Sequence, residues 1–286
     1  MQRHKITAVT LVAKAGLDVA EAKSIEVEEW LSGIRGIRVR RLLHSRENIS
    51  DSLHRDTDLI LVFGGDGTVV SVCRHSLGTG VPVAGVNYGR IGFLAELSPD
   101  NWQQPLEQAL REGVVVRPRM SLQFHLHRDG EVALKGEVVN DVVVTRGEVA
   151  RLANLELAVD SRPFVSLRSD GLIVATPTGA SGYACSAGGP LMRPKLNAYI
   201  VAAICPYLSS FSPLVLTADT VFSIQVALGE KNLFLTLDGQ ETYPLQEKDH
   251  LEVWGAPERI LMASFGIKSY FDRLCLAGFV QESKNC

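Results

Sequence analysis

The sequence is short of cysteine, of charge of one sign and of long apolar runs. Its five cysteines are an odd number without a Cys-x-x-Cys pair, which argues against a disulfide framework and a cysteine zinc site. A net charge of -3 gives no electrostatic reason to expect nucleic acid or an anionic membrane as partner. No apolar run approaches a membrane span, and no signal peptide is recognisable. We therefore expect a cytoplasmic protein.

Two common nucleotide-binding motifs are also missing. The chain has neither a Gly-x-Gly-x-x-Gly dinucleotide fingerprint nor a Walker-type Gly-Lys-Ser/Thr sequence. What is present is a well-packed composition, with 46% hydrophobic and 21% charged residues among 286. This length leaves room for two domains of ordinary size.

One glycine-rich turn stands at the centre of the first half. The apolar run Leu59–Phe63 leads straight into Gly64-Gly-Asp-Gly-Thr68, and the valines after it are spaced to begin a helix. Asp66 would then lie at the carboxyl end of a sheet, where open α/β folds bind ligands, and the glycines would let a sugar or phosphate approach. A helix cap or an ordinary turn would explain the same pattern, so the residues alone leave both readings open.

The pattern of apolar and polar residues changes near Pro118. Before it, strand-like and helix-like segments alternate, which predicts βαβ units and a Rossmann-like parallel sheet. After it, apolar and polar residues alternate over Met120–Leu126, and further strands are predicted at Val138–Thr145, Leu155–Val159, Val221–Leu228, Asn232–Leu237 and Leu251–Trp254. We expect an α/β domain over residues 1–118, a mostly-β, sandwich-like domain over 119–266, and a helical tail over 267–286. His125 and His127 share a strand face, but no third ligand is evident, so we expect no structural metal.

A second polar cluster follows the predicted strand Leu172–Ala175. It is rich in hydroxyl groups that can donate and accept hydrogen bonds, from Thr176, Thr178, Ser181, Tyr183 and Ser186. Glycines and alanines between them leave space for a ligand, and the ring of Tyr183 offers a face on which a base could stack. A Ser/Thr/Gly loop without a ligand is the alternative.

These segments resemble the motifs of NAD kinases. The aspartate turn alone is also similar to diacylglycerol and sphingosine kinases and, more distantly, to 6-phosphofructokinases. The full set of five, in the family's order, is the aspartate turn, Asn87–Leu94, Asn140-Asp141, Ser169–Pro190 and Asp238-Gly-Gln240. Three positions depart from the family pattern, because Ala180 replaces a hydroxyl residue, Tyr207 a histidine and Ser212 an arginine.

The resemblance implies transfer of a phosphoryl group from ATP, with Mg²⁺, to the adenosine ribose 2′-hydroxyl of NAD. Asp66 would be the catalytic base, or alternatively a Mg²⁺ ligand. The implied binding residues are Gly67, Asn140, Asp141, Arg151, Arg168, Asp170, Ser181, Gly182, Tyr183, Ala184, Cys185, Ser186 and Gln240. The resemblance further implies a site in an interdomain cleft, a homodimer or homotetramer, and a tail that packs back on the first domain.

Two other functions fit part of the pattern. A non-catalytic NAD(P)-binding sensor would keep the second cluster and tolerate the three departures. A lipid kinase of the diacylglycerol or sphingosine kinase type would share the aspartate turn, but it would lack the Thr-Pro-Thr-Gly sequence that begins at Thr176.

Overall fold

The computed structural model describes residues 3–44, 53, 56–88, 92–147, 152–208 and 211–280. The chain divides into two compact units, of which the first is formed by Met1–Pro118 with Ile260–Cys286 and the second by Arg119–Arg259. Within the described ranges, no helix is both long enough and apolar enough to cross a membrane.

The first unit is built on a parallel sheet. Its strands are β2 (Ala8–Lys14), β3 (Arg38–His44), β4 (Leu59–Gly64), β5 (Val83–Asn87) and the last part of β17 (His250–Ser264), in the spatial order β3-β2-β4-β5-β17. A short strand, β1 (Arg3–His4), pairs antiparallel with the start of β6 (Val114–Arg128). Because β3 and β4 lie on opposite sides of β2, the strand order reverses there, as it does beside the ligand sites of open α/β sheets.

The described part of the first unit contains four helices. They are α1 (Asp18–Ser32), α2 (Asp66–His75), α3 (Gln103–Glu112) and α5 (Tyr270–Leu276). Leu11, Leu61 and Phe63 of the strands are fully buried in one cluster with Val27 of α1 and Leu106 of α3. Burial of these side chains on both elements explains why the apolar runs predicted strands and why the helices are amphipathic.

The second unit contains two sheets. The first has the order β10-β9-β14-β17-β6-β7, and the second is antiparallel throughout with the order β13-β12-β11-β8-β15-β16. The strands not yet defined are β7 (Glu131–Val138), β8 (Asp141–Arg146), β9 (Ala153–Val159), β10 (Arg162–Ser169), β11 (Gly171–Ala175), β12 (Ala198–Ile204), β13 (Leu214–Thr217), β14 (Phe222–Val226), β15 (Leu233–Leu237) and β16 (Glu241–Leu245). A 3₁₀ turn (Gly179–Ser181) and the short α4 (Tyr183–Ser186) follow β11.

One core joins the two sheets of this unit. Leu122 and Phe124 of β6 and Phe222 of β14, from the first sheet, share a buried cluster with Val144 and Leu235 of the second. Such face-to-face packing defines a sandwich. The predicted fold class, an α/β half followed by a mostly-β half, is therefore confirmed.

The prediction of one strand over residues 138–145 is wrong. Strand β7 ends at Val138 and β8 begins at Asp141, because the N–H groups of Val139, Asn140 and Asp141 are all bonded to the carboxylate of Asp238. The pattern analysis also missed β1, β7, β10, β12, β13 and β16.

The C-terminal helix is tied to the first unit by Glu96. This carboxylate accepts hydrogen bonds from the backbone N–H groups of Phe265 (2.7 Å) and Gly266 (3.1 Å), and from the hydroxyl of Ser264 (3.0 Å). Nη1 of Arg273 in α5 lies 3.4 Å from Oε1 of Glu96. The side chains of Arg273 and Glu96 are only 5% and 6% exposed. Breaking a buried pair of this kind leaves an uncompensated charge, which is costly.

Replacement of Glu96 by alanine should therefore lower the free energy of unfolding by about 3 kcal/mol, because Arg273 and the N–H groups lose their acceptor. Chemical denaturation would measure the loss. Glu112, whose pair with Arg3 is about half exposed, supplies the matched control, and Glu112→Ala should unfold like the wild type. Equal stability of the two variants would contradict this account of α5.

Candidate functional site

The aspartate turn lies where strand β4 becomes helix α2. Asp66 is the first residue of α2, and the residue before it, Gly65, has no side chain that could cap the helix. The carboxylate of Asp66 accepts backbone N–H groups of the Asn87–Leu94 segment, from Phe93 at 2.8 Å and from Leu94 at 3.3 Å. The two motifs meet because Gly64 pairs with Asn87 in the parallel register of β4 and β5. The carboxylate of Asp66 therefore links the two motifs directly.

The glycines of this turn differ in how much space surrounds them. A Cβ on Gly64 would lie 2.7 Å from the hydroxyl oxygen of Thr68, so packing alone requires glycine there. At Gly65 and Gly67, by contrast, no atom of the described residues would lie within 4 Å of an added Cβ. The described residues leave open space over these two glycines, and a phosphate or sugar could approach their backbone.

The chemistry of Asp66 also fits a magnesium ion. An ionised carboxylate offers about four acceptor positions, so binding of backbone N–H groups and of a metal ion are compatible. Mg²⁺ is typically held by one or two carboxylates together with substrate phosphates and water, rather than by a full cage of protein ligands.

The second cluster is assembled by strand register in the second unit. Asp141 at the start of β8 pairs with Ala175 at the end of β11, and Val142 pairs with Leu237 at the end of β15. Three predicted motifs therefore lie at one end of one sheet. They are Asn140-Asp141, the Thr176–Ser186 segment and Asp238–Gln240.

Asp238 organises this end of the sheet. One of its carboxylate oxygens lies 2.7 Å from the N–H of Asn140, 3.1 Å from that of Val139 and 3.2 Å from that of Asp141. Its own backbone has a left-handed φ of 52°, which aspartate tolerates better than most residues. The neighbouring Asp141 carboxyl is deeply buried, and burial together with the charge of Asp238 raises its pKa to about 7.

Thr176 fixes the loop after β11. Its hydroxyl donates to the carbonyl of Val139 at 2.7 Å and accepts the N–H groups of Thr178 and Gly179, both at 3.1 Å. Gly179 has no alternative, since a Cβ would lie 2.3 Å from the carbonyl oxygen of Asn140. The backbones of the two motifs are thus locked together.

Two buried polar atoms in this cluster have no partner among the described residues. They are Oδ1 of Asn140 and Oγ1 of Thr178. A buried acceptor or hydroxyl without a partner is costly, and such exceptions in a folded protein point to a missing ligand or water. Polar atoms of this kind suit the hydroxyls of a ribose or the edge of a base.

The predicted residues of the α4 segment differ in how accessible they are. Gly182, Tyr183 and Ser186 are exposed, and Ser181 and Cys185 are half-buried. Ala184 is fully buried against Val143 and Ile173, so its side chain belongs to the core and only its backbone is left for a ligand.

The remaining predicted residues have partners of their own or lie outside the described ranges. Asp170 forms an ion pair with Arg146 at 2.8 Å. The guanidinium of Arg168 lies over the ring of Tyr207, 5.5 Å from its centroid. Gln240 closes the turn after β15 through its backbone N–H to Leu237. Arg151 lies outside the described residues.

The departures from the family motifs have structural explanations at two of three positions. Ala180 packs in an apolar cluster with Met192 and Ile200, where a hydroxyl would need a partner. Tyr207 supplies a ring face to Arg168. Ser212 is exposed, and nothing in the structure explains it.

Comparison with known proteins shows the family. The family described as ATP-NAD kinase N-terminal domain matches residues 2–114, and the one described as ATP-NAD kinase C-terminal domain matches residues 139–264. An NAD kinase of Nitratidesulfovibrio vulgaris (strain Miyazaki F) is 42% identical over 278 residues, which are 97% of this chain and 98% of that protein. This chain belongs to the NAD kinase family.

Solved NAD kinase structures share its fold. The yeast NADH kinase complexed with NADH superposes with a TM-score of 0.85 at 21% identity, covering 99% of this chain and 90% of that one. An NAD kinase from Archaeoglobus fulgidus in complex with ATP gives a TM-score of 0.69 at 24% identity, covering 91% of this chain and 94% of that one.

Two residues of the second cluster have contacts that the sequence does not predict. Asp238, which the sequence places only in a turn motif, accepts three consecutive N–H groups. Thr178 is one of several hydroxyl residues, and its buried Oγ1 has no partner among the described residues. For Asp238, the signal was an aspartate directly before glycine at the end of an apolar strand.

The raised pKa of Asp141 predicts a stability that falls as pH rises. The unfolded state releases this proton near pH 4 and the folded state near pH 7, so the folded state binds more protons between these values. The stability of Asp141→Asn, which stays neutral, relative to that of the wild type should increase by about 2–3 kcal/mol between pH 5 and pH 8.

Denaturant titrations of both proteins at the two pH values would measure this. Asp129→Asn, at an exposed hairpin turn, is the control and should follow the wild type throughout. A stability difference between Asp141→Asn and the wild type that does not change with pH would show that the Asp141 carboxyl is charged already at pH 5.

Proposed function

We propose that this protein transfers the γ-phosphoryl group of ATP to the 2′-hydroxyl of the adenosine ribose of NAD, giving NADP and ADP. The observation that carries the proposal is the Asp66 carboxylate, fixed by the N–H groups of Phe93 and Leu94 at the carboxyl end of β4. Family membership over both halves of the chain supports the reaction class.

Asp66 acts as the base in this proposal. The 2′-hydroxyl loses its proton to the carboxylate, its oxygen forms a bond to the γ-phosphorus, and the bond from that phosphorus to the leaving ADP oxygen breaks. Fixing the carboxylate in one orientation lowers the entropy cost of reaching this arrangement. Bound Mg²⁺ would offset the charge of the phosphate oxygens, and Asp66 is the residue that would hold it if another group takes the proton.

The second cluster binds the dinucleotide in this proposal. Asn140 and Thr178 offer buried polar atoms that a ligand would satisfy, and the neutral form of Asp141 can donate a hydrogen bond. The exposed ring of Tyr183 is suited to stacking on the adenine. Ser181–Ser186, Arg168, Asp170, Gln240 and Arg151 are assigned to the same ligand by the family resemblance. We further propose that the protein acts in the cytoplasm as a homodimer or homotetramer.

Replacement of Asp66 by asparagine should reduce kcat for NADP formation by about 10²-fold or more while NAD still binds, because the base is lost and the dinucleotide cluster is intact. Turnover with NAD, ATP and Mg²⁺ and calorimetric NAD titration would measure both quantities.

Asp58→Asn is the matched control. Asp58 also accepts backbone N–H groups in the first unit, from Thr7 at 2.7 Å and Ala8 at 2.9 Å, so this variant loses a comparable structural carboxylate. It should lower stability and leave kcat unchanged. Equal losses of kcat in the two variants would reduce Asp66 to a structural role, and a wild type without activity toward any phosphoryl donor would overturn the kinase proposal.

Thr178→Val should weaken NAD binding about 5–10-fold without loss of stability, because its hydroxyl lacks a partner until the ligand arrives. Thr176→Val is the contrasting variant, and the three hydrogen bonds of that hydroxyl should make it about 2 kcal/mol less stable. Calorimetry and urea denaturation would separate the two effects. Wild-type affinity in Thr178→Val would remove this residue from the binding site.

A further inference from the structure

Three potential metal ligands converge on a sheet face of the second unit. His125 and His127 of β6 and Glu252 of β17 each offer one ligand atom, and these three atoms all lie within 4.8 Å of one another. Strands β6 and β17 are neighbours in the first sheet. Sequence inspection found no third ligand because Glu252 lies 125 residues beyond His127.

Side-chain alternation places this cluster away from the core. Phe124 and Leu126 of β6 and Leu251 and Val253 of β17 are buried in the sandwich core. Since successive side chains of a strand point to opposite faces, the residues between them lie on the outer face. The second cluster, with Asn140 and Thr178, belongs to the other sheet, so a metal here would have a role separate from dinucleotide binding.

The distances suit a zinc ion. Nε2 of His127 lies 3.2 Å from a carboxylate oxygen of Glu252. In a tetrahedral zinc site, with bonds of about 2.0–2.1 Å, neighbouring ligand atoms are about 3.3 Å apart. Nε2 of His250 lies 3.6 Å from the other oxygen of Glu252, but this histidine does not belong to the group of three.

The ring of His125 has a defined neighbour as well. Its centroid lies 4.8 Å from that of Trp254, and the two rings meet edge to face. An ion pair between His127 and Glu252 would explain the contact between these two side chains. It would not explain why a ligand atom of His125 lies within 4.8 Å of both. Imidazole nitrogens with one carboxylate favour zinc, whereas Mg²⁺ and Ca²⁺ prefer oxygen ligands.

We propose that His125, His127 and Glu252 bind one zinc ion, with a water molecule as the fourth ligand. The ion cross-links β6 to β17 on the outer face of the sheet, opposite the core. This site is independent of the proposed kinase activity.

Zinc titration of the full chain against a chromophoric chelator tests the proposal. The wild type should bind one equivalent at micromolar zinc and show a Tm raised by a few degrees. His127→Gln and Glu252→Gln should each weaken binding by ~100-fold or more and abolish the Tm rise. His75→Gln, at an exposed histidine of α2, is the matched control and should bind like the wild type.

The exposed Cys205 is the competing ligand, and Cys205→Ser separates the two sources. With Co²⁺ as a probe, the proposal expects d–d absorption typical of a tetrahedral site without thiolate charge transfer. Failure of the wild type to bind zinc, binding unaffected by both His127→Gln and Glu252→Gln, or binding lost in Cys205→Ser would each overturn it.

Discussion

Carboxylates accept backbone N–H groups that have no partner within the β-sheets, and both units depend on this interaction. Where a strand stops or a turn begins, the freed donors need an acceptor, and a buried donor without one costs about 1–3 kcal/mol. A charged acceptor gives a shorter and stronger hydrogen bond than a neutral one. Among the described residues, Asp58, Asp66, Glu96 and Asp238 each accept two or more such N–H groups.

The same interaction sets the electrostatics of the candidate site. Asp238 holds three successive N–H groups, and its charge stands beside the buried Asp141, whose pKa rises to about 7 as a result of burial and this charge. The cluster thus contains the carboxyl groups of Asp141 and Asp238. It also contains two buried polar atoms, Oδ1 of Asn140 and Oγ1 of Thr178, that have no partner among the described residues. Unfavourable groups concentrated in this way are typical of sites built for a ligand, because binding relieves a cost that folding leaves in place.

Sequence analysis predicted the fold class and the motifs of the site, but not how the motifs contact one another. Periodicity located strands such as β4 and β11 because their apolar runs end at turn residues. It did not locate β10, which is mostly exposed and in which Pro163 and the adjacent Phe164 and Val165 interrupt the alternation of a half-buried strand. Contacts between distant segments, such as Asp66 with Phe93 or His127 with Glu252, depend on strand register, which no local pattern encodes.

The parallel register between Gly64 and Asn87 has a consequence for how the chain tolerates change in length. The connection from α2 to β5 runs through residues 76–82, at the opposite end of the sheet from the aspartate turn. Insertions there lengthen a surface loop and leave the pairing of β4 with β5 as it is, at a small entropic cost. An insertion within β5 would instead slide Asn87 past Gly64 and carry the N–H groups of Phe93 and Leu94 away from Asp66. A change in length is therefore tolerated at one end of this sheet, whereas the other end carries Asp66 and the N–H groups that fix it.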